Sequence, residues 1–133
     1  MIPLPPYAAT LGLRRDGETF VMPFDPGLIG APERLHGGSI AGFLEVAAIV
    51  ALRERLGAGV AIKPVNVTVD YLRVGLMRDT FAAVEITRAG RRVANLRATA
   101  WQDGRDRPIA TATINALLER PAEPPSPPPP ANR

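Results

Sequence analysis

The chain has 133 residues, 46% of them hydrophobic, and it contains no cysteine. This length favours one domain with a single core, and the lack of cysteine excludes disulfides and thiolate metal sites. The net charge is +3, but the arginines are scattered and no basic helix interleaved with aromatic residues occurs, so we expect no nucleic-acid binding.

The first residues, MIPLPPYAAT, lack the basic stretch and the apolar run of a signal peptide. The longest apolar stretch, residues 40–52, is shorter than the roughly 20 residues that a membrane-spanning helix needs. We therefore expect a soluble, cytoplasmic protein that does not associate with a membrane.

The N-terminal half is predicted to hold one strand, one loop and one helix. The strand covers residues 17–24, and the loop of residues 25–38 contains two prolines and four glycines. The helix is expected over about residues 39–56, with Ser39 as its N-cap and two glycines after its end. Within its apolar part a single charged side chain occurs, that of Glu45, and an unpaired buried carboxylate is costly.

The C-terminal half is predicted to hold four strands. They lie near residues 64–74, 80–88, 93–101 and 109–118. The links between them are short and turn-rich, which indicates antiparallel hairpins, because parallel strands need long crossovers.

Alternation in the last two strands predicts what packs on the sheet. One face is formed by small apolar residues: Ala94, Leu96, Ala98, Ala100, Ala110, Ala112, Ile114 and Ala116. Such a face lets a thick element lie close, and the apolar helix is the candidate. We therefore predict an α+β protein in which a curved antiparallel sheet is wrapped round one long central helix. The domain is expected over residues 1–119, followed by a mobile tail, residues 120–133, with seven prolines.

This architecture is the hotdog fold, and the stretch LHGGSIAGFLEVAA resembles the motif of acyl-CoA thioesterases of the phenylacetate-pathway type, within the 4-hydroxybenzoyl-CoA thioesterase superfamily. In that family a His-Gly-Gly opens the central helix, and an acidic residue follows nine positions after the histidine. Here His36 and Glu45 have this spacing. The stretches VTVDYLRVG and AGRRVANLRATAWQDGRDRPIATATINALL are also similar to the family.

The resemblance implies hydrolysis of an acyl-CoA thioester, with an aryl or medium-chain acyl group, without a metal and without a cofactor. It assigns Gly37 to polarising the thioester carbonyl through its backbone N–H, and this agrees with the positive potential at a helix N-terminus. Glu45 would act as general base or as nucleophile. His36 and Gly38 would line the substrate site. Ionic contacts to CoA phosphates are expected from Arg91 and Arg92.

Spacing along the helix predicts the oligomeric state. Gly37 and Glu45 are eight residues apart, hence ~12 Å along the axis. A general base must lie within ~3 Å of its target or one water away. Both groups can act on one carbonyl if two antiparallel copies of the helix meet, so we expect a homodimer or homotetramer with shared sites.

Two positions depart from the family pattern. Gly30 stands where an Asn or Gln is common, and Ile49 where a Thr or Ser is common. These departures favour an alternative, a non-catalytic acyl-CoA-binding hotdog protein, whereas the retained Glu45 argues against it. A hotdog dehydratase is a further alternative, although its proline-rich histidine motif is missing.

Overall fold

The computed structural model of the chain describes residues 4–121 and 127–131. In this part of the chain a long helix lies against one antiparallel sheet, whose strands are arranged in the order β1-β2-β4-β5-β6-β3. The helices are α1 (Pro6–Leu11) and α2 (Gly37–Leu56). The strands are β1 (Arg14–Asp16), β2 (Thr19–Met22), β3 (Ala61–Tyr71), β4 (Thr80–Ala89), β5 (Val93–Trp101) and β6 (Pro108–Glu119).

The predicted small apolar face of the sheet is confirmed. Its eight residues on β5 and β6 are each at most 1% exposed, and α2 packs on it through Phe43, Leu44, Ala47 and Ala48, which are fully buried. Alanine side chains bring the sheet backbone close to α2, so that the helix fills the concave side. The predicted α+β hotdog architecture is thereby confirmed.

The first predicted strand is wrong in its bounds. Residues 17–24 do not form one strand, because Gly17 adopts a positive φ of 62° and turns the chain between β1 and β2. A short helix, α1, was also missed by the sequence prediction. Its six residues show no usable periodicity, and it is held by burial of Ala8 and Leu11.

Strand β3 forms one edge of the sheet, with β6 as its neighbour in the described part of the chain. It is eleven residues long, and its register with β6 shifts between Pro64 and Asn66. A long edge strand presents unpaired N–H and C=O groups that can pair with another chain. Tyr71, the last residue of β3, lies beside the start of α2.

Part of the expected tail, residues 120–133, lies outside the described residues. In the described part, Arg120 donates through its guanidinium to the carbonyls of Gly90 and Arg91, at 3.4 and 3.1 Å. Residues 127–131 form neither helix nor strand. None of the helices in the described residues has the length and hydropathy to span a bilayer.

Candidate active site

The first turn of α2 is capped by His36, not by Ser39 as predicted. The helix begins at Gly37, and the Nδ1 atom of His36 accepts the N–H of Gly38 at 2.8 Å. The His36 carbonyl accepts the N–H of Ser39 at 3.0 Å and that of Ile40 at 3.4 Å. The Ile40 bond is the first regular i→i−4 bond of the helix. Of the four N–H groups that a helix start leaves without intrahelical partners, His36 thus satisfies those of Gly38 and Ser39, and its own N–H donates to the carbonyl of Leu28 at 2.8 Å.

The remaining N–H, that of Gly37, has no hydrogen-bond partner among the described residues. It therefore remains available to an external acceptor at the positive end of the α2 dipole. The N–H of Gly38 is occupied by His36, so the two predicted glycines do not have the same role. Gly37 can donate to a ligand, whereas Gly38 fixes the histidine.

The His36 side chain is exposed, and its hydrogen bond determines its tautomer. Because Nδ1 accepts the N–H of Gly38, a neutral ring carries its proton on Nε2. His36 can then donate from Nε2 towards a ligand, but it cannot accept a proton on Nδ1 without losing the cap. Through this bond His36 fixes the loop that precedes α2 against the first turn of the helix.

Tyr71 is a site residue that the sequence analysis missed. Its hydroxyl donates to the carbonyl of Gly37 at 2.9 Å. A Cβ atom at position 37 would lie 3.4 Å from Cε1, Cζ and the hydroxyl oxygen of this ring. The ring therefore forms a wall beside the free N–H, and it belongs to an edge strand 34 residues away, a contact that no local pattern reveals.

The departure at Gly30 has a steric explanation. A Cβ atom at this position would lie 2.8 Å from Cα of His36 and 3.0 Å from its Cβ and Cδ2. The N–H of Gly30 also donates to the carbonyl of Arg34, which closes the loop that carries His36. Glycine at position 30 therefore makes room for the histidine, and an Asn or Gln would require the His36 segment to move.

Glu45 lies on a stripe of α2 that the sheet does not cover. The stripe comprises Gly38, Ala41, Gly42, Glu45, Ile49, Arg53 and Leu56, all partly or fully exposed. Among the described residues no Arg, Lys or other group forms an ion pair or hydrogen bond with Glu45. Within the described chain, no arginine of the sheet therefore neutralises this carboxylate.

Gly37 and Glu45 belong to one uninterrupted helix of 20 residues, so the axial separation of ~12 Å expected from the sequence applies. A single chain therefore does not bring the free N–H and the carboxylate to one reacting carbon. The stripe of α2 is covered at Gly42 by Tyr7 of α1, and the outer edge of β3 has no partner strand among the described residues.

Arg91 and Arg92 line a groove at the opposite end of the domain, beside the C-terminus of α2. The groove is also lined by Gly59, Val60, Leu117, Leu118, Glu119, Arg120 and Pro121, and its volume is about 760 Å³. Three arginine residues thus line one groove. Arg120 could have been suspected only from its position two residues after the last predicted strand.

The described residues contain no group of three or more His, Cys, Asp or Glu side chains that could hold a metal ion.

Comparison with known proteins places this geometry in context. A model of the acyl-CoA thioesterase N-terminal domain family matches residues 28–117, a range that includes the His36 loop, α2 and most of the sheet. None of the curated proteins matches the sequence.

Solved structures share the fold. A protein from Chromobacterium violaceum is 40% identical, with 86% of this chain and 83% of that chain covered and a TM-score of 0.66. A phenylacetic acid degradation-related protein from Ralstonia eutropha is 22% identical, with 87% and 92% covered and a TM-score of 0.77. A Bacillus halodurans protein crystallised with CoA is 18% identical, with 85% and 75% covered and a TM-score of 0.76.

Proposed function

The chain belongs to the acyl-CoA thioesterase N-terminal domain family and is a thioester hydrolase, and we propose that it hydrolyses aryl- or medium-chain acyl-CoA at a site shared by two subunits. The observation that carries this proposal is that α2 presents two polar groups without hydrogen-bond or ion-pair partners. Gly37 has a free N–H and Glu45 a carboxylate without a partner among the described residues.

The Gly37 N–H is the proposed donor to the thioester carbonyl oxygen. It lies at a helix N-terminus, and the missing side chain allows the carbonyl to approach the backbone closely. A donor aimed at the developing oxyanion is worth about 10²–10³ in kcat in enzymes where one has been removed. The wall formed by Tyr71 restricts the direction of approach.

Glu45 of the other subunit is the proposed general base or nucleophile. As a base it takes a proton from water, whose oxygen attacks the carbonyl carbon. As a nucleophile it attacks directly, and water then cleaves the mixed anhydride. In both routes the tetrahedral oxyanion collapses, the carbon–sulfur bond breaks, and CoA leaves as a thiolate that gains a proton. The products are a free acid and CoA.

A homodimer, alone or within a tetramer, is proposed because the groups lie ~12 Å apart on one helix. Antiparallel contact of two α2 stripes would bring Gly37 of each chain towards the partner's Glu45. A symmetric pair of this kind has two equivalent sites. The unpaired edge of β3 supports the same arrangement, since two copies of this strand can extend one sheet through both subunits.

The groove bordered by Arg91, Arg92 and Arg120 is proposed to bind the phosphates of CoA. Guanidinium groups bind phosphate oxygens well, often in pairs of hydrogen bonds. From Glu45 to Gly57 at the end of α2 is twelve residues, roughly 18 Å along the helix axis. An extended pantetheine arm can cover such a separation, so its thioester could reach Glu45. The Bacillus halodurans protein, which has the same fold, was crystallised with CoA.

A non-catalytic acyl-CoA-binding protein is the second candidate, favoured by the apolar Ile49 near Glu45. Gly30 no longer supports it, because packing against His36 accounts for that residue. A thiol-reactive dye that reports released CoA separates the two, with aryl- and alkyl-CoA thioesters as substrates. Turnover by the wild-type protein, lost in Glu45→Gln while acyl-CoA still binds, would support hydrolysis. Binding without release of CoA from any thioester would support the second candidate.

A further inference from the structure

The amide bond between His36 and Gly37 is engaged at its oxygen and free at its nitrogen. Its carbonyl oxygen accepts the hydroxyl of Ser39 at 2.7 Å and the N–H of Ser39 at 3.0 Å. Its N–H, which belongs to Gly37, has no partner among the described residues. The proposed oxyanion donor and the acceptor of two Ser39 hydrogen bonds are therefore opposite ends of one amide.

We infer that Ser39 is a positioning residue that strengthens the Gly37 N–H as a hydrogen-bond donor to the substrate. This inference rests on the proposed hydrolysis, and it gives a role in that reaction to Ser39, a residue to which the family motif assigns none. Hydrogen bonds to a carbonyl oxygen withdraw electron density from the amide nitrogen, so that its N–H becomes a better donor. The same two bonds also hold the plane of the amide, and with it the direction of the N–H.

Burial makes this hydrogen bond persistent. Ser39 is 8% exposed, and besides it only Thr80 is both polar and buried in the described chain. The donor side of this part-buried bond is thus largely shielded from water, and a lower local dielectric increases the strength of a hydrogen bond. A serine that only completed the first turn would not need its hydroxyl, because its backbone N–H already bonds to the same oxygen.

The kinetic test is Ser39→Ala. If each hydrogen bond strengthens the next by about 10–30%, and the oxyanion donor contributes about 10²–10³, kcat should fall about two- to eightfold. KM should change less than twofold, because the loss arises in the transition state. Ser39→Thr, which keeps the hydroxyl, should retain most of the rate. Ser39→Cys keeps the size with a weak donor and should resemble Ser39→Ala.

Thr87→Ala is the matched control. It also removes a hydroxyl that donates to a backbone carbonyl, that of Asn95 at 2.9 Å, but on the sheet. Its kcat should equal that of the wild type. Equal kcat values for wild type and Ser39→Ala, or an equal loss in Thr87→Ala, would overturn the inference while leaving hydrolysis itself established.

A spectroscopic test separates polarisation from simple folding effects. In the Glu45→Gln background the bound thioester should persist, and the stretching frequency of its carbon-13-labelled carbonyl reports donor strength. Adding Ser39→Ala should move the frequency back towards that of the free thioester, and adding Thr87→Ala should not. An unchanged frequency would contradict the role of Ser39. Wild-type turnover by Glu45→Gln would instead refute the assignment of Glu45, and the Ser39→Ala kinetics would then decide on Ser39.

Discussion

Replacing Gly37 with alanine should abolish hydrolysis without weakening the fold. The new Cβ would lie 3.4 Å from the nearest atoms of Tyr71, an ordinary van der Waals contact, and Gly37 has no positive φ. The backbone can therefore accept alanine without strain. Because alanine loses less conformational entropy on folding than glycine, the free energy of unfolding should stay the same or rise by up to about 1 kcal/mol.

Activity should change in the opposite direction. Alanine keeps the N–H, but its methyl would stand between the Gly37 backbone and the Tyr71 ring, and we expect it to hinder the approach of a thioester carbonyl to that N–H. Loss of one oxyanion donor lowers kcat by about 10²–10³. The assay is kcat from released CoA, measured on the same preparation as thermal unfolding. A kcat within twofold of the wild type would refute the assignment of Gly37.

Gly38→Ala is the matched contrast, one residue further along the helix. Its Cβ would lie 2.8 Å from Nδ1 of His36, too close for the ring to remain on the Gly38 N–H. Loss of an N-cap costs about 0.5–2 kcal/mol, so this variant should unfold at a lower temperature than Gly37→Ala. If both variants lost the same stability, the difference in role between the two glycines would be wrong.

Three further changes test the surroundings of the site. Tyr71→Phe removes the hydroxyl bonded to the Gly37 carbonyl and should lower kcat by up to about tenfold, with KM little changed. An unaltered kcat would show that the ring acts by its shape alone. Gly30→Asn should cost about 1–3 kcal/mol of stability, seen in thermal unfolding, because its Cβ meets the His36 backbone at 2.8 Å; an unchanged unfolding temperature would contradict the steric account. Arg92→Ala should raise KM for acyl-CoA roughly three- to tenfold. It should not change KM for acyl-pantetheine, which lacks the nucleotide phosphates; equal effects on both substrates would mean that the phosphates bind elsewhere.

The layers of the fold could be predicted because they depend on local patterns. Period-two alternation on β5 and β6 identified the face that packs on α2, and the short links identified antiparallel pairing. The start of α2 was placed two residues late, because two successive glycines carry no side chain to mark a cap. His36 instead caps the helix through a ring nitrogen, a residue type outside the usual N-cap set.

The site was predictable where it lies within one motif and unpredictable where distant segments meet. The spacing of His36 and Glu45 was visible in the sequence, and so was the separation that calls for two chains. Tyr71 and Arg120 reach their places through tertiary contacts over 34 and 29 residues, which no single-sequence pattern encodes. The N–H of His36 is bonded to the Leu28 carbonyl and that of Gly38 to the His36 ring, and both contacts depend on the folded loop.

The central claim is that each site takes its N–H from one subunit and its carboxylate from the other, and subunit mixing tests it directly. Gly37→Ala and Glu45→Gln homodimers should each be nearly inactive. In a mixed dimer one site carries both defects, and the other combines an intact Gly37 with an intact Glu45. When equal amounts exchange at random, half of the dimers are mixed, and each mixed dimer has one intact site out of two. About a quarter of wild-type activity should therefore return. Activity that stays at the mean of the two parents after complete exchange would contradict a shared site.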